Sequence, residues 1–207
     1  MAKRKVEAPS SRTSADVLDR LSSDELAAVL IGVLRKHPEL EDEASAIALE
    51  IVSFPSAEDI ADQVIDAVSS PDIDDLNDRA ESHSGDYVGP GEAAEELLEE
   101  AMEPFFADMK RKVELGLADA AQVVCLGIVT GLYEAKDVES DGPVVTLGWA
   151  PDFPSEEACS AVVELLHAFP KPERASVRGR IIGVLADSAP TWHEAISRAA
   201  DRALQGK

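Results

Sequence analysis

Apolar residues recur at helical spacing along most of the chain, and turn formers interrupt them at short intervals. Ser22 and Glu25 form a capping-box pattern ahead of Leu26, Val29, Leu30, Val33 and Leu34, which share one helical face. Arg35, Lys36 and His37 occupy the last turn, where cations suit the helix dipole, and Pro38 prevents continuation. A shorter helix is predicted before it, from Ser14 to about Leu21. Leu40, Ala44, Ile47, Ala48 and Ile51 mark a following helix that Phe54-Pro55 ends. Ser56 caps another, with Glu58 and Asp59 in its first turn and Ile60, Val64 and Val68 as its stripe. Residues 72–80 add a turn or two, and 81–91 read as loop.

The longest helical pattern runs from Glu92 to Leu115, with Leu98, Met102, Phe105, Met109 and Val113 on its apolar face. Pro104 lies inside it and predicts a kink or a break. Gly116 fits a C-terminal cap, and the next helix starts almost at once, which implies an antiparallel hairpin. From Leu117 to about Ala135 the pattern is apolar on nearly all sides, so this helix is predicted at the centre of the core. Gly127 and Gly131 on it would admit a neighbouring helix closely. Residues 137–154 are the longest irregular stretch, read as an extended segment, a lid, or a loop packed down by Trp149. Three helices follow. Ser155 caps one bearing Ala158, Val162, Leu165 and Leu166; Pro172 starts one bearing Val177, Ile181 and Leu185. Thr191 and Glu194 repeat the capping-box pattern before Ala195, Ile196, Ala199 and Ala203.

The fold class is therefore all-α, built of antiparallel helical hairpins. Two architectures remain open: an α-solenoid of the TPR or HEAT kind, and an irregular helical bundle. Residues 1–13 read as a flexible basic tail and 14–207 as one helical domain, with a possible sub-boundary near 81–91. A hydrophobic content of 45% supports a real core, and an aromatic content of 4% means that Ala, Val, Leu and Ile must build it.

Charge changes the picture most. The chain carries a net −22, although its first twelve residues are basic through Lys3, Arg4, Lys5 and Arg12. Such a body repels phosphate backbones and anionic lipid, which argues against nucleic acid or a membrane as partner. No secretory leader or membrane span is evident, so a cytoplasmic location is expected. Acidity is densest between Ser56 and Glu103, where Arg79 is the lone base. Glu92, Glu95, Glu96, Glu99, Glu100 and Glu103 cover one side of the long helix. They are the candidate face for a basic protein partner, against the plainer readings of a solvated surface and of adaptation to high salt.

The near-motifs of chemistry each lack a required part. Gly89-Pro-Gly91-Glu-Ala-Ala94 has dinucleotide-loop spacing but follows no strand, and Glu92, Glu95 and Glu96 would repel a pyrophosphate. The Asp72–Asp78 run lacks the Gly and Glu of a calcium loop. His193-Glu194 has Ser197 where a zinc protease needs its second His. Cys125 and Cys159 read as reduced core residues with no base to activate them. No catalytic residue, metal ligand or cofactor is thus assigned. The alternative of a small enzyme rests on the loops 81–91 and 137–154, with Tyr87 and Trp149 as candidate contacts; a third reading is a self-assembling structural protein.

Several short segments carry a resemblance. Tyr87-Val-Gly-Pro-Gly-Glu-Ala, Leu97-Leu98, Pro104-Phe105, Leu115-Gly-Leu-Ala-Asp-Ala-Ala and Gly131-Leu-Tyr resemble the helical region accompanying SWIM-type zinc-finger proteins. Asp24-Glu-Leu and His37-Pro-Glu-Leu40 resemble an earlier helix pair of that region. The family's Cys-x-Cys and Cys-x-His finger has no counterpart in this chain. The resemblance implies a helical-repeat scaffold and transfers no metal ligand or nucleic-acid role.

Overall fold

The structure, a computed structural model, describes residues 15–18, 20–53, 56–81, 89–136 and 145–206. The basic tail, Phe54-Pro55, Tyr87 and its loop, and the first part of the 137–154 segment lie outside the described residues. Those described are helical with no strand among them, so the all-α class holds. They form two compact units, Met1–Ile51 and Val52–Lys207.

The first unit contains α1 (Ala15–Leu18), α2 (Ser23–Lys36), one 3-10 turn (Pro38–Leu40) and most of α3 (Glu41–Ser53). The predicted capping box is formed: Glu25 N–H donates to Ser22 Oγ at 3.3 Å, and Ser22 N–H donates to Glu25 Oε2 at 2.9 Å. No residue of α2 is buried. A box fixes where a helix begins, but burial of its apolar stripe supplies most of its stability.

The second unit is α4 (Ala57–Ser69), α5 (Ile73–Glu81), α6 (Pro90–Glu114), α7 (Ala118–Ala135), α8 (Val145–Trp149), α9 (Phe153–Ala168), α10 (Lys171–Ser188) and α11 (His193–Gln205). As its apolar surround predicts, α7 is the hub: α4, α6, α9 and α10 all pack on it, and α11 closes over α9 and α10. A solenoid repeat touches only its neighbours, whereas α7 is shared by four helices, so this unit is a bundle. Gly127 and Gly131 set the closest seam. A Cβ on Gly127 would lie 2.6 Å from Ile60 Cβ, and one on Gly131 would lie 2.6 Å from the Ala61 carbonyl oxygen. These two glycines let α4 lie almost backbone to backbone on α7, burying Ile60, Val64 and Val68.

The turn between α6 and α7 follows the cap that Gly116 signalled. Gly116 has φ +77°; its N–H donates to the Val113 carbonyl at 2.9 Å, and Leu117 N–H donates to the Lys112 carbonyl at 2.8 Å. This is the Schellman arrangement, in which a left-handed residue lets the chain turn back and satisfies the last carbonyls.

Three local expectations are corrected, and one, the kink or break at Pro104, is narrowed. The helix α6 runs through Pro104 without a break. Pro104 and Glu100 are both exposed, so water can take the Glu100 carbonyl that Pro104 leaves without a donor. Ser155 does not cap α9: the helix starts at Phe153, Pro154 occupies its first turn, and Ser155 Oγ donates back to the Asp152 carbonyl at 3.1 Å. Thr191 does not cap α11 either; its hydroxyl donates to the Tyr133 hydroxyl at 3.2 Å, and α11 begins after Trp192. Finally, residues 145–149 are a helical turn rather than an extended segment. Thr146 and Leu147 are buried there, with Thr146 Oγ1 donating to the Pro71 carbonyl at 2.9 Å, while Trp149 is 50% exposed. The anchor of this segment is Thr146 with Leu147.

Candidate functional site

Two faces of α6 are set by its periodicity. Leu98, Met102 and Met109 are fully buried against the bundle, which leaves Glu92, Glu95, Glu96, Glu99, Glu100 and Glu103 along the opposite side. All six are exposed except Glu96, which is half-buried. Spacings of three and four residues make them one continuous stripe, so the predicted acidic face is a single surface rather than scattered charge.

Arg79, the lone base of this region, reaches the stripe from α5. Its Nη1 and Nη2 donate to Glu100 Oε1 and Oε2 at 2.8 and 2.7 Å, a bidentate fork, and Nη1 also donates to Glu96 Oε2 at 3.3 Å. That fork holds the Glu100 carboxyl below the ordinary range and pushes the guanidinium further toward its charged form. Arg79, Glu96, Glu99, Glu100 and Glu103 line an open depression of about 380 Å³. Arg79 thus offsets charge at the centre of the stripe, while Glu92, Glu95 and Glu103 make no ion pair among the described residues.

A residue the sequence did not single out extends this surface. Glu157 on α9 is half-buried, and its carboxyl is pushed up first by burial, then by the Glu99 and Glu164 charges, against a hydrogen bond from Ser160. The α9 side of the acidic face is therefore already crowded with like charge. Nothing in Ser155-Glu-Glu157 separates this glutamate from its neighbours; only the crossing of α6 and α9 does.

The other candidates resolve as follows. Asp72 Oδ1 accepts the N–H groups of Asp74 and Asp75 at 2.8 and 3.0 Å, and Asp75 Oδ2 accepts Asp72 N–H at 3.0 Å. These carboxylates close the N-terminus of α5 as a reciprocal cap. Burial pushes the Cys125 thiol up to about 12, and Cys159, half-buried, is also raised by burial. Neither is a thiolate near neutrality. Among the described residues no group of three His, Cys, Asp or Glu side chains could hold a metal ion, and no helix is long and apolar enough to cross a membrane. Of the two loop contacts, Tyr87 lies outside the described residues, whereas Trp149 borders the start of α6: a Cβ on Gly91 would stand 3.4 Å from the Trp149 carbonyl oxygen.

The sequence also gave no hint of an aromatic cluster at the far end of α7. The Tyr133 and Trp192 rings meet edge to face at 5.0 Å, and Lys136 Nζ stands 3.6 Å above the Tyr133 ring. Tyr133 and Trp192 are far apart in the chain, so no local pattern could announce their contact.

The class defined by these features is an all-helical bundle with a continuous acidic outer face. No family model, no curated protein and no solved structure matches the chain.

Proposed function

We propose that the chain is a non-enzymatic helical scaffold that binds a basic segment of another protein along the acidic face of α6. The supporting observation is the unbroken stripe from Glu92 to Glu103, bridged by a single arginine fork at Glu96 and Glu100. Like charges at these spacings destabilise their own helix slightly, so the arrangement costs stability that a basic ligand would recover. Glu157 adds to the same field from α9.

The test is fluorescence anisotropy with a labelled amphipathic lysine- and arginine-rich peptide. Binding should weaken steeply as salt rises, since the contact is between exposed charges within a Debye length of roughly 10 Å at 0.1 M. The triple variant Glu95→Gln/Glu99→Gln/Glu103→Gln should weaken it by tenfold or more, roughly 1.4 kcal/mol, while raising the unfolding midpoint, since the same charges repel one another along α6. Equal affinity of wild type and variant at low salt would remove this surface from consideration.

A further inference from the structure

The outer side of α10 lacks the polar cover of a solvated helix. Val177, Ile181 and Leu185 are buried against the bundle, while Ser176, Gly179, Gly183 and Val184 are exposed, Val184 at 49%. Glycine is the poorest helix former after proline, so a face turned only to water gains nothing from two of them. On α7 the same spacing, at Gly127 and Gly131, seats α4; on α10 a Cβ at Gly179 or Gly183 would meet nothing within 4 Å. Two charges share this face. Arg180 gives its hydrogen bonds to neutral partners, Nε to Gln122 Oε1 at 2.9 Å and Nη1 to Ser176 Oγ at 3.0 Å. Among the described residues neither Arg180 nor Asp187 has an ion pair.

We infer that this face of α10 pairs antiparallel with the same face of a second copy of the chain, about a two-fold axis between Gly183 and Val184. At about 100° per residue Asp187, Arg180 and Val184 stand roughly 40°, 60° and 100° round the helix from Gly183. All four therefore lie within about 50° of one line along the exposed side, the reach of a helix–helix contact. Arg180 and Asp187 are equally far from the axis on its two sides. An antiparallel two-fold pair keeps each flank against its own equivalent, so Arg180 of each copy meets Asp187 of the other. On the axis Gly183 meets Gly183, which lets the helices close, and Val184 meets Val184. A groove of about 230 Å³ extends apolar surface beside Val184, lined by Val123 and Leu126 of α7 with Ile181. A parallel pair would set Arg180 against Arg180 and Asp187 against Asp187. The charges thus select a second copy, in one orientation, although the chain as a whole is strongly acidic.

The proposal does not rest on the basic-partner reading, since it uses α10 and none of the α6 carboxylates. Sedimentation equilibrium of the full chain measures it, at about 0.15 M salt so that repulsion between two acidic chains is screened beyond roughly 8 Å. Wild type should show a concentration-dependent rise toward twice the 22.1 kDa chain mass. Gly183→Leu, which fills the axis, should remain monomeric. At micromolar concentration, where chains are separate, it should unfold at no lower urea than wild type, because its own chain leaves that position open. Arg180→Asp and Asp187→Arg should each weaken the dimer about tenfold by turning attraction into repulsion at both ends. Mixed one to one they should regain wild-type association, because every Asp then meets an Arg, and the double variant should regain it alone. A wild type that stays monomeric up to about 0.1 mM overturns the proposal. So does a dimer that Gly183→Leu leaves intact, and so do charge variants that leave the dimer unchanged or fail to rescue one another.

Discussion

Gly131 and Gly183 are both glycines inside helices of the second unit, yet a methyl group would meet opposite fates at the two positions. At Gly131 it would press on the Ala61 backbone 2.6 Å away, and backbone cannot turn aside as a side chain can. At Gly183 it would enter open space, with nothing within 4 Å. Alanine is the better helix former at either place by roughly 0.5–1 kcal/mol, but overpacking a tight seam costs about 1–3 kcal/mol. Gly183→Ala should therefore raise the denaturation midpoint, and Gly131→Ala should lower it by separating α4 from α7. Urea unfolding of the two variants in parallel checks both signs. The spacing of Gly127 and Gly131 was legible in the sequence because small residues four apart on an apolar helix have few other uses. The caps at Ser155 and Thr191 were misread because a hydroxyl's partner is local in one context and distant in another. Thr191 donates to Tyr133, 58 residues away, and no pattern around Thr191 encodes that.

At the scale of an element, α6 shows how periodicity can outweigh a breaker. Pro104 sits where the helix turns to solvent, so its ring faces no packed neighbour and the carbonyl it frees can be hydrated. Burial of Leu98, Met102 and Met109 on either side of it holds the helix together. Pro104→Ala restores one helical hydrogen bond and removes the clash, worth about 3 kcal/mol in a helix interior. Loss of proline's restriction of the unfolded chain subtracts up to about 1 kcal/mol. A net gain of about 2 kcal/mol should appear as a higher denaturant midpoint with unchanged slope. Element existence was read well from sequence wherever a stripe met a core, as in α4, α6, α7 and α9. What periodicity does not carry is partnership. The stripe of α2 is as regular as that of α4, yet α4 is buried on Gly127 and Gly131 while α2 is exposed. The unit boundary follows the same logic. It falls at Ile51, between the exposed stripe of α2 and the buried stripe of α4, and the sequence had marked a possible division only near 81–91, where turn formers cluster.

Across the whole molecule the balance of −22 makes stability a function of pH through two opposed sets of carboxyls. Glu157 is raised by burial and by Glu99 and Glu164, so the folded chain holds its proton where the unfolded chain does not. Its contribution is fully present below the unfolded value and is lost as pH rises through the folded one. Glu100 is lowered by Arg79 and Glu25 by the Ser22 box, so their contributions run the other way. These are present above the unfolded value and lost as pH falls through the folded ones. Moving down from neutrality, the raised group and the general relief of repulsion act first; the lowered pair fails only later. Thermal unfolding should accordingly reach its highest midpoint on the acidic side of neutrality, then fall as the Arg79 fork is protonated apart. Glu157→Gln should raise the midpoint at about pH 8, where the wild-type carboxylate is charged and crowded, and should leave it unchanged at about pH 3. Arg79→Gln should flatten the acid limb, because Glu100 then has no cation to lose. A profile rising monotonically from pH 4 to 8, with Glu157→Gln indistinguishable from wild type throughout, would show that the acidic face is solvated well enough to bear no internal strain, and with it would go the cost that a basic ligand is proposed to relieve.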